Sequence, residues 1–107
     1  MKIIKIETVC LSRPHEPERQ WFTGTYRTIK VDCAIVVIQT DNGLKGIGEA
    51  CAYGVPPQIK DWVKWLEPNL VGKDPLEPDI VPHTNGRSWS YDTAVAGIDS
   101  ALWDLKG

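Results

Sequence analysis

The stretch KVDCAIVVIQTDNGLKGIGEACA, Lys30 to Ala52, decides the fold. Lys30 to Thr40 is rich in β-branched residues, which suit a pleated, half-buried surface. Asp41-Asn42-Gly43 follows at once. An Asn-Gly pair between two apolar runs supplies the positive φ that a tight hairpin turn requires. Leu44 to Ala52 then reads as the returning strand. Gly46 and Gly48 within it point to close backbone approach or to a bulge. The register of the pair is open by one residue, so facing partners are not assigned from sequence.

Upstream, residues 2 to 11 read as another strand, with Ile4, Ile6, Thr8 and Cys10 on one face and Lys5 and Glu7 on the other. Between the two strands lies SRPHEPERQWFTGTYRT, Ser12 to Thr28, which has neither strand nor helix period. A loop that long inside a small domain is usually functional or disordered. Its mixture of cations and aromatic rings suits contact better than simple solvation.

Downstream the period changes. Ile59, Trp62, Val63, Leu66 and Leu70 recur at helical spacing and predict an amphipathic helix from Pro57 to Leu70. Pro57 suits the first turn and Gly72 the C-terminal stop. Asp74-Pro75-Leu76-Glu77 has the pattern of a second, short helix start. His83 to Ser90 reads as a loop. A third helix is predicted from Ser90 or Asp92 to about Lys106, with Ala94, Ile98, Ala101, Leu102 and Leu105 along one side. The expected fold is therefore α+β: a three-stranded antiparallel meander followed by about three helices.

The totals exclude several classes. A chain of 107 residues suffices for one small domain, and its 42% hydrophobic and 24% charged residues are ordinary for a globular protein. The net charge of −2 is spread without a basic block, which gives nucleic-acid binding no support. The longest apolar runs are too short to span a membrane. MKIIKIETVCLS lacks the uninterrupted apolar core of a signal peptide, so a cytoplasmic location is expected. Three cysteines, Cys10, Cys33 and Cys51, without a Cys-x-x-Cys, argue against a disulfide scaffold or a zinc site. All three are expected to be small buried residues on strands.

Three stretches, in order, resemble the N-terminal capping domain of the enolase superfamily, in the mandelate racemase/muconate-lactonising branch. They are QTDNGLKGIGEA (Gln39 to Ala50), KDPLEP (Lys73 to Pro78) and AVAGIDSALWDLKG (Ala94 to Gly107). The last is the most specific, with small residues at 94, 96 and 97, then Ile98-Asp99, Ala101-Leu102 and Asp104-Leu105. On this resemblance residues 1–90 are the capping domain, and 91–107 form a helix leading toward a (β/α) barrel absent from the chain.

The resemblance implies a parent enzyme that abstracts the proton α to a carboxylate, as a racemase, epimerase, dehydratase or cycloisomerase. Mg²⁺ would stabilise the enediolate, and Lys or His would act as base. The metal carboxylates and bases would lie at the ends of barrel strands beyond Gly107. No catalytic or metal residue is therefore assigned here, and this piece alone is expected to be inactive and to bind no cofactor. The expected partners are a small carboxylate substrate, the chain's own C-terminal barrel and further copies of itself, with neither nucleic acid nor membrane.

The resemblance also implies a lid over the barrel mouth, formed by Ser12 to Thr28 and Ala52-Tyr53-Gly54. Its candidate substrate contacts are Arg13, His15, Trp21, Phe22, Tyr26 and Tyr53. Arg13 or His15 would meet a polar or anionic end of the substrate. Trp21 and Phe22 would pack on an apolar end or a cationic nitrogen. Glu49, Asp99 and Asp104 are expected to be structural, with Asp99 and Asp104 as polar contacts between cap and barrel. The helix face of Ala94, Ile98, Ala101 and Leu105 is expected to lie open, awaiting the barrel. The competing readings are a stand-alone binding module that kept the cap fold, whose last helix would be covered, and a small structural subunit that pairs with a separate barrel chain.

Overall fold

β4 (Lys30–Thr40) is the middle of the sheet, and its alternation of buried and half-buried residues is what a central strand covered on one face produces. Ala34, Val36 and Ile38 are fully buried, and Thr40 is 3% exposed. β1 (Ile3–Pro14) and β5 (Lys45–Ala50) flank it, both antiparallel, in the order β1-β4-β5. This computed structural model describes residues 1–22, 24, 27–28, 30–52, 56–77, 80–81 and 88–107, and of Phe22, Arg27 and Thr28 the backbone alone.

The β4–β5 turn is the expected one. Gly43 sits at φ 84°, in the left-handed region that only a residue without Cβ enters freely. The Gly43 N–H donates to the Thr40 carbonyl at 3.2 Å, and the Thr40 N–H donates to the Leu44 carbonyl at 3.1 Å. Asp41 ties the turn to the N-terminus: its N–H donates to the Lys2 carbonyl, and its Oδ1 accepts from the Lys2 N–H, both at 2.9 Å.

The face expected for β1 is corrected near its start. The pairing with β4 slips between Ile3 and Lys5, a bulge that inserts one residue and reverses the side-chain parity before it. Ile3 and Ile6 are therefore buried, at 1% and 5% exposed, whereas Ile4 is 53% exposed. β1 also runs on to Pro14, opposite Lys30. The segment expected to lack period thus begins as strand. It continues with a 3-10 turn at Pro17–Arg19 and a two-stranded pair, β2 (Trp21–Phe22) with β3 (Arg27–Thr28).

α1 (Pro56–Leu70) buries Ile59, Val63, Leu66 and Leu70, four of the five residues of the predicted stripe. The chain after it is stitched to β1: the Gly72 N–H donates to the Ile3 carbonyl at 2.8 Å, and the Ile3 N–H donates to the Lys73 carbonyl at 2.9 Å. The second helix expected from Asp74 is a turn instead. Asp74 Oδ1 accepts from the Leu76 N–H at 2.9 Å, and the Glu77 N–H returns to the Asp74 carbonyl at 3.1 Å. The Asp side chain caps a single turn that does not continue as a helix through Glu77, so two α-helices stand among the described residues where about three were expected.

α2 (Trp89–Lys106) is capped by Ser88, whose Oγ accepts from the Tyr91 N–H at 3.3 Å. Trp62 joins the helices: its indole N–H donates to Ser90 Oγ at 2.9 Å, and its ring meets Tyr91 edge-on at 5.1 Å. Ala94, Ile98 and Ala101 are fully buried and Leu105 packs against the core, so the face expected to lie open is already covered. Its cover is β5. A Cβ on Gly48 would strike the Gly97 carbonyl oxygen, and one on Gly46 would strike that of Ala101. One core unites residues from both sides of position 90.

The cysteines are also corrected. Cys10 and Cys51 are exposed and Cys33 is half-buried, because all three sit toward the end of the sheet away from the Ile3–Gly72 junction. No helix among the described residues is long and apolar enough to cross a membrane.

Candidate functional site

Strand register brings the ends of the strands that lead into the two expected lid segments to one end of the sheet. Pro14 pairs with Lys30, and Ala34 pairs with Ala50. The chain from 15 to 29 and the chain after Ala50 therefore leave the same end of the sheet. β1 and β4 extend beyond β5 there, as a two-stranded arm whose Leu11 and Val31 are 53% and 52% exposed.

The base of the arm holds a polar cluster. Lys30 Nζ lies 3.1 Å from Asp32 Oδ1, and the Ser12 hydroxyl donates to the same oxygen. The Asp32 side chain is only 3% exposed, so this pairing satisfies a carboxylate that would otherwise be costly to bury. Asp32 was assigned no role from sequence. The available signal was its parity: it continues the inward row of Ala34, Val36 and Ile38, where an acid needs a partner.

The candidate contacts are distributed along this end. Arg13 is exposed on β1, opposite Val31. His15 is half-buried just beyond, and its carbonyl accepts from Gln20 Nε2 at 3.4 Å. Trp21 is 49% exposed on β2, and Phe22 follows it in the ladder opposite Arg27. Tyr26 and Tyr53 lie outside the described residues, as does His83.

The family-position acids are engaged in different ways. Asp104 on α2 accepts from the Ile47 N–H on the outer edge of β5, at 2.9 Å. Asp99 is half-buried on the same helix. Glu49 is exposed on β5, where its Oε1 accepts from Cys33 Sγ at 3.5 Å. Burial first, then the hydrogen bond and the charge of Glu49, push the Cys33 thiol above its ordinary range. Sequence reading missed the counterpart of Asp104: Glu67 on α1, whose Oε2 accepts from the Ile6 N–H at 2.7 Å on the other edge of the sheet. Among the described residues no group of three or more His, Cys, Asp or Glu side chains converges in a way that could hold a metal ion.

Known proteins share this architecture. The chain is 36% identical, over its whole length, to cis-3-hydroxy-L-proline dehydratase of Roseibium aggregatum, and spans 31% of that protein. It is 38% identical over 65% of its length to D-galactonate dehydratase of Verminephrobacter eiseniae, and spans 20% of it. Among solved structures, 3,6-anhydro-D-galactonate cycloisomerase from Zobellia galactanivorans superposes with a TM-score of 0.75 at 28% identity, covering 99% of this chain and 28% of that one. An enolase-superfamily member from Polaromonas sp. JS666 gives 0.74 at 27% identity, covering 99% of this chain and 30% of that one. Residues 3–107 match the family described as mandelate racemase / muconate lactonizing enzyme, N-terminal domain, and the chain belongs to that family.

Proposed function

We propose that this chain is the capping domain of an enzyme that abstracts the proton α to the carboxylate of a small oxygenated acid and eliminates or rearranges the β oxygen. The family match across residues 3–107 carries the reading. The relatives' named substrates sharpen it: 3-hydroxyproline, galactonate and 3,6-anhydrogalactonate all carry oxygen on the carbon β to the carboxylate. In this reading the metal and the bases belong to a barrel beyond Gly107, where Mg²⁺ would offset the enediolate charge. The present residues close the site and contact the substrate. Arg13 and His15 meet a polar or anionic group, and Trp21, Phe22, Tyr26 and Tyr53 wall the pocket against water.

The test is exchange of the α-proton in D₂O, followed by NMR across a panel of hydroxy acids and hydroxyprolines. The parent polypeptide is expected to exchange or dehydrate at least one of them, and the 107-residue chain none. Arg13→Ala in the parent is expected to raise KM more than it lowers kcat. Exchange catalysed by the 107-residue chain alone would overturn the placement of the chemistry outside it.

A second reading, a stand-alone interaction module, is favoured by one observation: the buried face of α2 is already covered by β5. It predicts a monodisperse chain in light scattering and no turnover on the whole panel.

A further inference from the structure

We propose that Cys33 and Cys51 are a cross-strand dithiol that a small-molecule disulfide oxidises to an intramolecular disulfide, making this corner of the sheet a reversible modification site. The placement follows from register. In β5, Gly46, Gly48 and Ala50 turn inward and are buried, whereas Lys45, Ile47 and Glu49 are exposed. The alternation continues past the ladder, because Cys51 is exposed and Ala52 is 2% exposed.

Backbone groups keep the same period. The Ile47 N–H leaves the ladder for Asp104, and the Cys51 carbonyl leaves it for the Thr93 hydroxyl, which donates at 2.8 Å. Ala34 pairs with Ala50, so the next antiparallel step sets Cys51 opposite Cys33. Positions 47, 49 and 51 are thus of the non-hydrogen-bonded type, where facing Cα atoms approach to about 4.5 Å. That is within the span of about 4.4–6.8 Å that a disulfide tolerates. Cys33 leans toward β5, since its thiol donates to Glu49, two residues before Cys51. Cys10 is excluded as a partner: it pairs with Ala34, which faces the helices, so it leaves the opposite side of the sheet.

The chemistry balances as two exchanges. Cys51, as thiolate, attacks one sulfur of the small disulfide, forms a mixed disulfide and expels one thiolate. Cys33 then attacks Cys51 Sγ, closes the intramolecular bond and expels the second thiolate. The Cys33 proton leaves to water, a loss that the neighbouring Glu49 charge opposes. Two protein thiols are oxidised, and one reagent disulfide becomes two thiols. The order follows from environment, because the raised Cys33 thiol is the poorer first nucleophile at neutral pH.

Oxidised glutathione is the probe. Free thiols are expected to fall from the three present to one per chain, with loss of two hydrogens in the intact mass and no retained glutathione. Peptide mapping should link Cys33 to Cys51, and dithiothreitol should reverse the change. Cys10→Ser should close as the wild type does, whereas Cys33→Ser should stop at a glutathione adduct on Cys51. Glu49→Gln removes one cause of the raised thiol and should speed closure several-fold at neutral pH. A lasting adduct on wild-type Cys51, or a link through Cys10, would overturn the proposal. The wild-type map decides this even if a variant fails to fold.

Discussion

Where α1 meets β1, large side chains make the contact: Ile3 and Ile6 from the strand, and Ile59, Val63, Leu66 and Leu70 from the helix, all at most 5% exposed. Where α2 meets β5, there is almost no side chain to make it. Gly46, Gly48 and Ala50 face Gly97 and Ala101, and the helix carbonyls occupy the space where a strand Cβ would stand. The first interface draws its energy from apolar area removed from water. The second draws it from close approach of helix backbone to strand backbone, with Ile98 and Leu102 of the same helix buried in the common core. The two interfaces should therefore fail differently: the first by loss of volume, the second by gain of it.

The largest effect is expected from Gly48→Val. Its Cβ would meet the Gly97 carbonyl oxygen and the Ala101 backbone nitrogen, atoms that cannot swing aside as a side chain tip can. Lifting α2 from the sheet should cost more than about 3 kcal/mol, above the usual range for overpacking. Urea unfolding followed by tryptophan fluorescence would read it, and a midpoint within error of wild type would refute the close-approach account.

Leu66→Ala probes the other interface, where it should cost about 2–5 kcal/mol as lost burial plus cavity. Here Leu66→Met should recover most of the loss, because volume rather than shape is at stake. If Leu66→Met unfolds as readily as Leu66→Ala, the interface is as exacting as its neighbour and the contrast is false.

Each sheet edge is also held by one helix carboxylate: Glu67 on the Ile6 N–H, and Asp104 on the Ile47 N–H. Glu67 is half-buried and Asp104 exposed, so water can replace the second acceptor more easily than the first. Glu67→Ala should cost about 2 kcal/mol and Asp104→Ala about 1 kcal/mol. Equal losses would mean that exposure does not rank the two clasps.

The sequence carried the periodic parts of this picture well. β4, its Asn-Gly turn and the α1 stripe were legible because each has an uninterrupted period of 2 or 3.6 closed by a residue of special φ. The bulge at Ile3/Lys5 was not, since an inserted residue needs no distinctive side chain. Asp74 was read as a helix start because a cap looks the same whether one turn follows it or four. The α2 face shows the commonest limit. The glycines of β5 were read as close backbone approach or a bulge, and α2 as carrying small residues at 94, 96 and 97; the structure shows close approach at Gly46, Gly48 and Gly97. Nothing local states that they approach each other, so the helix was assigned an absent partner. The candidate site was legible as a segment, while its anchor, the Ser12–Asp32–Lys30 cluster, depended on a register that sequence left open.

One cross-strand row tests both interfaces at once. Thr8, Val36 and Gly48 stand side by side on the inner face. At Gly48 the row has no room for a methyl. At Thr8, which is 9% exposed, the hydroxyl oxygen is buried without a hydrogen-bond partner among the described residues. Such an atom gives up its water bonds and gains nothing in return, a cost of about 1–3 kcal/mol. Thr8→Val replaces it with a methyl of nearly the same volume and should raise stability by about 1 kcal/mol, the only effect of opposite sign. An unchanged or lower urea midpoint for Thr8→Val would mean that the hydroxyl has found a partner. The row would then be uniformly tight, and the difference between its two ends would lie in the helices alone.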